Sequence, residues 1–415
     1  MDLTRREFIG SVSAAAAVTG MAGNGLSDQP ISSAHRRGPT ADDPLGVRGD
    51  FPIVENGVYL DSAYITPSPT QAVRAAQDFV AAKAHGPVSL GQMLDETNSV
   101  RRRFAQLIGA REPEVGVLFA TSDGENIVAR ALDLGRGDNV VIDDLHYETT
   151  YILYQQLAES TGLEVRVVPS QGGAVTAEAF AEYVDERTRL VSVAWVSHQN
   201  GFRHDLKALA DLAHAHGAYL YADAIQGIGM VDIDVTDAGI DFFTAGTYKW
   251  LLGGFGVAPF FIREELLEMV PTDRYGSIGV AEELGNNRFR LHEDAKKYGY
   301  ATMAFGAVFQ LGGALDYLLR VGVPNIERHT VGLAHRLHEG LTNQGYDVWT
   351  PANNPSAIVT FEHGRDVELV RQTLQEADIR VSFKEGGVKL RVGVALFNNS
   401  DEIDRLLEVT SAWST

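Results

Sequence analysis

The stretch Tyr219-Leu220-Tyr221-Ala222-Asp223-Ala224-Ile225-Gln226 is an apolar run that ends on an acid. A second run, Asp241-Phe242-Phe243-Thr244-Ala245-Gly246-Thr247-Tyr248-Lys249-Trp250, ends on a lysine. The spacing between Asp223 and Lys249 accommodates one strand, a reversal and the next strand, so acid and lysine are expected at the ends of neighbouring strands. Taken singly, such a lysine is a solvated surface residue and such an aspartate a turn or helix cap. Together, with Gln226 one turn after the acid and aromatics beside the lysine, they form the pair that pyridoxal 5'-phosphate requires. An amine forms a Schiff base with the aldehyde, and a carboxylate keeps the ring nitrogen protonated.

Working outward, short apolar runs alternate with helical spacing. Val115–Phe119, Asn139–Ile142, Glu164–Val168, Leu190–Val196, Ala218–Ala222 and Asp241–Ala245 read as strands. Glu125–Leu134, Tyr151–Ser160, Thr176–Val184 and Leu206–His214 read as the helices between them. Strands that are apolar throughout imply a mainly parallel sheet covered on both faces. Val257–Phe261 follows Lys249 through the short link Gly253-Gly254-Phe255-Gly256 and is expected to be an antiparallel seventh strand. The expected fold is therefore α/β, a mainly parallel seven-stranded sheet sandwiched by helices, over residues 48–302. Residues 303–415 read as a small α+β C-terminal domain. It comprises helices Ala304–Leu319, Asn325–Asn343, Asp366–Ala377 and Asp401–Val409 and strands Ala357–Phe361, Ile379–Phe383 and Val388–Val394.

Composition narrows the functions. The chain has 415 residues, 45% of them hydrophobic, and a formal net charge of −20. That charge argues against nucleic acid or an anionic membrane surface as partner. There is no cysteine, which removes disulfides, thiolate metal sites and any cysteine nucleophile, and the twelve histidines show no metal-ligand spacing, so no metal is expected.

Residues 1–47 read as a leader and a flexible linker. Thr4-Arg5-Arg6-Glu7-Phe8-Ile9-Gly10 precedes a mildly apolar run to Ala22 that is too short for a stable membrane span. It resembles a twin-arginine (Tat) export signal, which implies the Tat export machinery as a partner and a periplasmic or extracytoplasmic location. Gly23–Val47 is rich in Gly, Ser, Pro and charge.

Further residues fit the same cofactor. Phe119-Ala120-Thr121-Ser122-Asp123-Gly124 is a tight polar turn from strand to helix, suited to a phosphate at the positive end of a helix dipole. His146 follows another strand end and could stack on the ring, with Tyr147 as the alternative. Ser197-His198-Gln199-Asn200 offers polar groups to the cofactor's phenolic oxygen.

From Val58 to Leu407 the pattern resembles fold-type I pyridoxal-phosphate enzymes of the aminotransferase class V group, relatives of cysteine desulfurases and isopenicillin N epimerase. The resemblance implies Lys249 as the Schiff-base lysine, Asp223 and Gln226 as the Asp-x-x-Gln motif, Thr121 to Gly124 as the phosphate turn (Ser122, Asp123 and Gly124 binding the cofactor) and His146 as the stacking residue. It further implies that Thr302, in Tyr298-Gly299-Tyr300-Ala301-Thr302, reaches the phosphate of a partner subunit in a homodimer. Arg391, in Leu390-Arg391-Val392-Gly393-Val394, is implied to bind a substrate carboxylate.

Two departures stand out. Lys384-Glu385-Gly386-Gly387 occupies the place of the desulfurase cysteine, and the usual Ser/Thr-His pair before the lysine is here Thr247-Tyr248, where the resemblance implies Thr247 as a further cofactor-binding residue. The reading favours aminotransferase-type chemistry on an amino acid or amine. A cysteine-independent C–S lyase or an epimerase is the alternative. An exported non-catalytic binding protein is the reading of a different class, though Gly227-Ile228-Gly229-Met230-Val231-Asp232 lacks the third glycine of a nucleotide fingerprint.

Overall fold

The computed structural model describes Thr40 and residues 42–413. The export-type leader and most of the linker thus lie outside the described residues.

Seven strands form the large sheet: β1 (Val115–Leu118), β2 (Asn139–Asp143), β3 (Glu164–Val168), β4 (Thr188–Ala194), β5 (Tyr219–Asp223), β6 (Phe242–Thr244) and β7 (Ala258–Ile262). Their order is β1-β7-β6-β5-β4-β2-β3. All pairings are parallel except those of β7, which runs antiparallel to both β1 and β6. Alternate residues feed two cores. Val141, Val191 and Phe243 pack on one side, while Val140, Ile142, Leu190 and Phe242 pack on the other. Burial on both faces is why these strands read as continuous apolar runs rather than as alternating ones.

Helices α1 (Thr70–His85) and α2 (Leu90–Ile108) precede the sheet. A capping box of Ser89 with Gln92 starts α2, and Gly109, at φ 70°, ends it. Helices α3 (Thr121–Ala131), α4 (Glu148–Thr161), α5 (Ala177–Ala181) and α6 (Leu206–Ala215) connect the strands, and α7 (Phe305–Val321) packs on α1 and α2. Helix α3 starts four residues before the sequence expectation. The Asp123 carboxylate accepts the backbone N–H groups of Phe119 and Ala120 at 3.3 and 3.1 Å, which folds the polar turn into the helix's own first turn.

After α7 and α8 (Val323–Asn343), four short strands, β8 (Asp347–Val348), β9 (Ile358–Glu362), β10 (Ser382–Lys384) and β11 (Lys389–Gly393), form an antiparallel sheet in the order β8-β9-β11-β10. Helices α9 (Val367–Glu376) and α10 (Ser400–Ser411) complete this part. The expected strand Ile379–Phe383 is divided. Ile379–Arg380 pairs in parallel with Val58–Tyr59, and Ser382 begins β10. The chain preceding the large sheet is thereby tied to its C-terminal strands, which also brings Asp61 beside Gly393.

Candidate active site

Parallel strands β5 and β6 end side by side, with Asp223 in register with Thr244. Lys249 lies in the turn beyond β6. Both point into a cavity of about 350 Å³ at the C-terminal edge of the sheet, within the range of small-molecule sites. Thr121 and Ser122 at the start of α3 line one end. Tyr147, His198, Gln226, Tyr248 and Phe255 line the remainder together with Asp223, Lys249 and Glu125.

The electrostatics are those of a poised pair. Lys249 is 9% exposed and Asp223 8%. Burial lowers the pKa of the Lys249 amine, and the Arg391 and Lys384 charges add to that lowering while Asp223 counters it. Burial raises Asp223, opposed by the Ile225 N–H that its Oδ1 accepts at 3.0 Å and by the Lys249 charge. A lysine amine held below its ordinary range is a better nucleophile near neutral pH, and a buried carboxylate strengthens its bond to a cation placed against it.

Gln226 lines the cavity, but both ends of its amide are engaged. Its Nε2 donates to the Ala63 carbonyl at 2.8 Å, and its Oε1 accepts from Trp250 Nε1 at 2.9 Å. Its structural work is to fix the residue next to Lys249. Arg391 is 4% exposed. It donates through Nη1 to the His198 carbonyl at 2.6 Å and through Nη2 to Ser382 Oγ at 3.0 Å, while its buried Nε has no partner among the described residues. His198 Nδ1 is likewise buried and unpartnered. Burial, followed by Lys384 and Arg391, pushes this imidazole down to about 3, so it is neutral at physiological pH.

Several residues named from sequence turn away from the cavity. His146 is fully buried and does not line it. Its Nδ1 accepts the Tyr147 N–H at 2.7 Å, which leaves the ring proton on Nε2, 3.4 Å from Ser192 Oγ. Burial holds His146 down at about 4. Tyr147, the alternative ring neighbour, takes the place beside the cavity, edge-on to His198 at 5.0 Å. Ser197 donates to the Leu145 carbonyl at 3.0 Å, and Thr247 donates to the carbonyls of Gly254 and Val257 at 2.5 and 3.2 Å. Both hydroxyls shape loops rather than face the cavity.

Asp123 caps its helix and pairs with Arg274 at 3.0 Å. Gly124 serves packing: a Cβ there would collide with Thr244 Oγ1 on β6. Gly124→Ala is accordingly expected to destabilise by about 1–3 kcal/mol, measured as a lower denaturation midpoint at unchanged m. Thr302 is exposed and outside the cavity of its own chain.

The residue that sequence reading missed is Glu125. On α3 it looks like a surface acid, yet it is 4% exposed and lines the cavity. Ser192 Oγ donates to its Oε1 at 2.6 Å and Thr150 Oγ1 to its Oε2 at 2.7 Å. Burial raises it to about 7, with the nearby Asp223 charge adding to the rise and the two hydroxyls opposing it. A carboxyl raised in the folded state stabilises most at low pH, and its contribution fades as pH climbs from about 4.5 to about 7. Glu125→Gln should remove that fading. The gap in unfolding free energy between variant and native chain should then change by up to about 3 kcal/mol across this window, measured by denaturation at each pH.

The polar set suits pyridoxal phosphate: a helix N-terminus in the lining, a buried carboxylate and amine converging in the cavity, and, without partners among the described residues, a donor on Arg391 and a ring nitrogen on His198. Comparison with known proteins agrees. The probable cysteine desulfurase of Methanothermobacter thermautotrophicus is 28% identical over 386 residues, covering 87% of this chain and 96% of that protein. An Escherichia coli cysteine desulfurase is 28% identical over 389 residues, with the same coverage. In fold, the chain superimposes on the apo cysteine desulfurase of Thermococcus onnurineus NA1 with a TM-score of 0.81 at 24% identity, over 90% of this chain and 98% of that one. It superimposes equally, at 19% identity over 87% and 99%, on the cystine C–S lyase C-DES in complex with its reaction product, cysteine persulfide. Residues 58–406 match the family Aminotransferase class-V, and the chain belongs to that family of pyridoxal-phosphate enzymes.

Proposed function

We propose that this protein transforms an amino acid at its α-carbon by aminotransferase-type chemistry, with Lys249 as both the attachment point of pyridoxal phosphate and the base that moves the α-proton. The observation that carries this is the convergence in one cavity of an acidified lysine, with no side-chain hydrogen bond or ion pair among the described residues, and a buried aspartate. When bound, the cofactor supplies an electron sink for the carbanion left by proton removal. Asp223 would be the counter-charge that keeps the cofactor's ring nitrogen cationic. Thr121 and Ser122 hold the phosphate at the α3 N-terminus. Tyr147 covers the ring, Arg391 takes the substrate carboxylate on its free Nε, and neutral His198 offers Nδ1 alongside.

Transamination is preferred over desulfuration because the chain holds no cysteine to accept sulfur. The named activity of the curated relatives supports a second reading, sulfur removal from cysteine with release into solution. An assay of amino acids with and without an added α-keto acid separates the two. Transamination needs the keto acid, whereas elimination yields ammonia and sulfide without it. An absence of both products for every amino acid tried would contradict the proposal.

The proposal extends to a homodimer in which Thr302 reaches the partner subunit's phosphate site, supported by its exposure outside its own cavity. It also extends to export by the Tat pathway, supported by Arg5-Arg6 and the mild apolar run after them.

A further inference from the structure

Where the related desulfurases use a thiol, this chain brings a lysine. Ser382 and Lys384 on β10 lie opposite Arg391 and Lys389 on β11. Opposed residues, and residues two apart, share one face of an antiparallel pair, so these four side chains project together. Three of them are engaged. Ser382 Oγ bonds Arg391 Nη2 at 3.0 Å and donates to Asp61, and Lys389 pairs with Glu385 at 2.7 Å while lying over the Trp349 ring at 3.9 Å. Lys384 is half-buried, and its amine has no hydrogen bond or ion pair among the described residues.

That placement is unfavourable in isolation. Burial and the Arg391 charge both push the Lys384 amine below the ordinary lysine range, against weaker pulls from Glu148, Asp61 and Glu385. Lys384, Arg391 and Lys249 together surround His198 with positive charge. None of the acids nearby pairs with it among the described residues: Asp61 is committed to Ser382 and Arg380, Glu385 to Lys389, and Glu148, exposed at the start of α4, acts on it only at longer range. One substrate carboxylate on Arg391 therefore leaves a second cation unanswered.

We infer that Lys384 is a specificity-determining residue that binds a second anionic group, so that the substrate is an amino acid with an acidic side chain. This rests on the reading of Arg391 and Lys249 above. The test is calorimetric binding of succinate, a dianion without an amine, against butyrate, a monoanion, to the pyridoxal-phosphate-loaded full chain. The native protein is expected to bind succinate roughly 10- to 100-fold more tightly than butyrate, the span of one charge-assisted hydrogen bond. Lys384→Gln should erase that preference while leaving butyrate affinity within about twofold and the melting temperature unchanged or higher. Equal weakening of both ligands in Lys384→Gln would place Lys384 on the same carboxylate as Arg391 and overturn the inference. So would an undiminished succinate preference. A native protein that prefers succinate yet shows no visible cofactor band would instead sink the cofactor reading and leave the anion site standing.

Discussion

Lys249→Ala is expected to abolish turnover, by on the order of 10⁴-fold or more, and to remove the visible absorption that a covalently attached cofactor gives. Loss of a general base alone is typically worth about 10²–10⁴-fold, and here the same substitution also removes the covalent anchor. The protein should nevertheless fold. Lys249 is a buried amine with no side-chain hydrogen bond or ion pair among the described residues, and the Tyr248 ring lies 5.9 Å from its Nζ. Deleting a buried cation removes a desolvation penalty as well as a few methylene contacts. Thermal denaturation should therefore report a melting temperature near the native one. Retained turnover with a native melting curve would show that a different residue holds the cofactor.

The second large effect concerns Asp223. Asp223→Asn keeps a group of the same shape, able to accept the Ile225 N–H, but replaces a charged acceptor with a neutral one. A cation placed against it in this buried site then loses its counter-charge. Removing one partner of a buried pair typically costs about 3–5 kcal/mol. Expressed as rate, that is a fall of about 10²–10⁴-fold, read from single-turnover kinetics at saturating cofactor. The proton inventory should shift too, because Glu125 feels the Asp223 charge. With that charge gone, Glu125 should titrate lower, visible by carboxyl-selective infrared spectroscopy. A single-turnover rate within a few-fold of native would place the ring-nitrogen partner elsewhere.

Much of this was legible because parallel strands covered on both faces must be apolar throughout. Val140, Val141 and Ile142 on β2, and Phe242 and Phe243 on β6, advertise their strands for that reason. The antiparallel seventh strand followed from the short Gly-rich link after Lys249, too short for a crossover. By contrast, the hairpin over 280–291 carries residues that are nearly all exposed, so no buried face marked it in the sequence. Helix α1 buries only Ala72 outright and lacks an apolar stripe for the same reason.

The site divides along a similar line. The strand-end position of Asp223 could be read from pattern, and so could that of Lys249 in the turn five residues beyond β6, since the sheet fixes where both segments emerge. Which way His146, Ser197 and Thr247 point after their strands depends on loop hydrogen bonds to the Tyr147 N–H and to the Leu145 and Gly254 carbonyls, which no periodicity encodes. Glu125 stayed hidden because its burial comes from Ser192 and Thr150 on other elements, and an acid on a helix otherwise reads as solvated.

The most direct measurement is peptide mapping of the native protein after borohydride reduction in the presence of pyridoxal phosphate. The predicted result is a single reduced pyridoxyl adduct on Lys249. An adduct on another lysine such as Lys384, or none at all, would contradict the assignment on which the proposed chemistry stands.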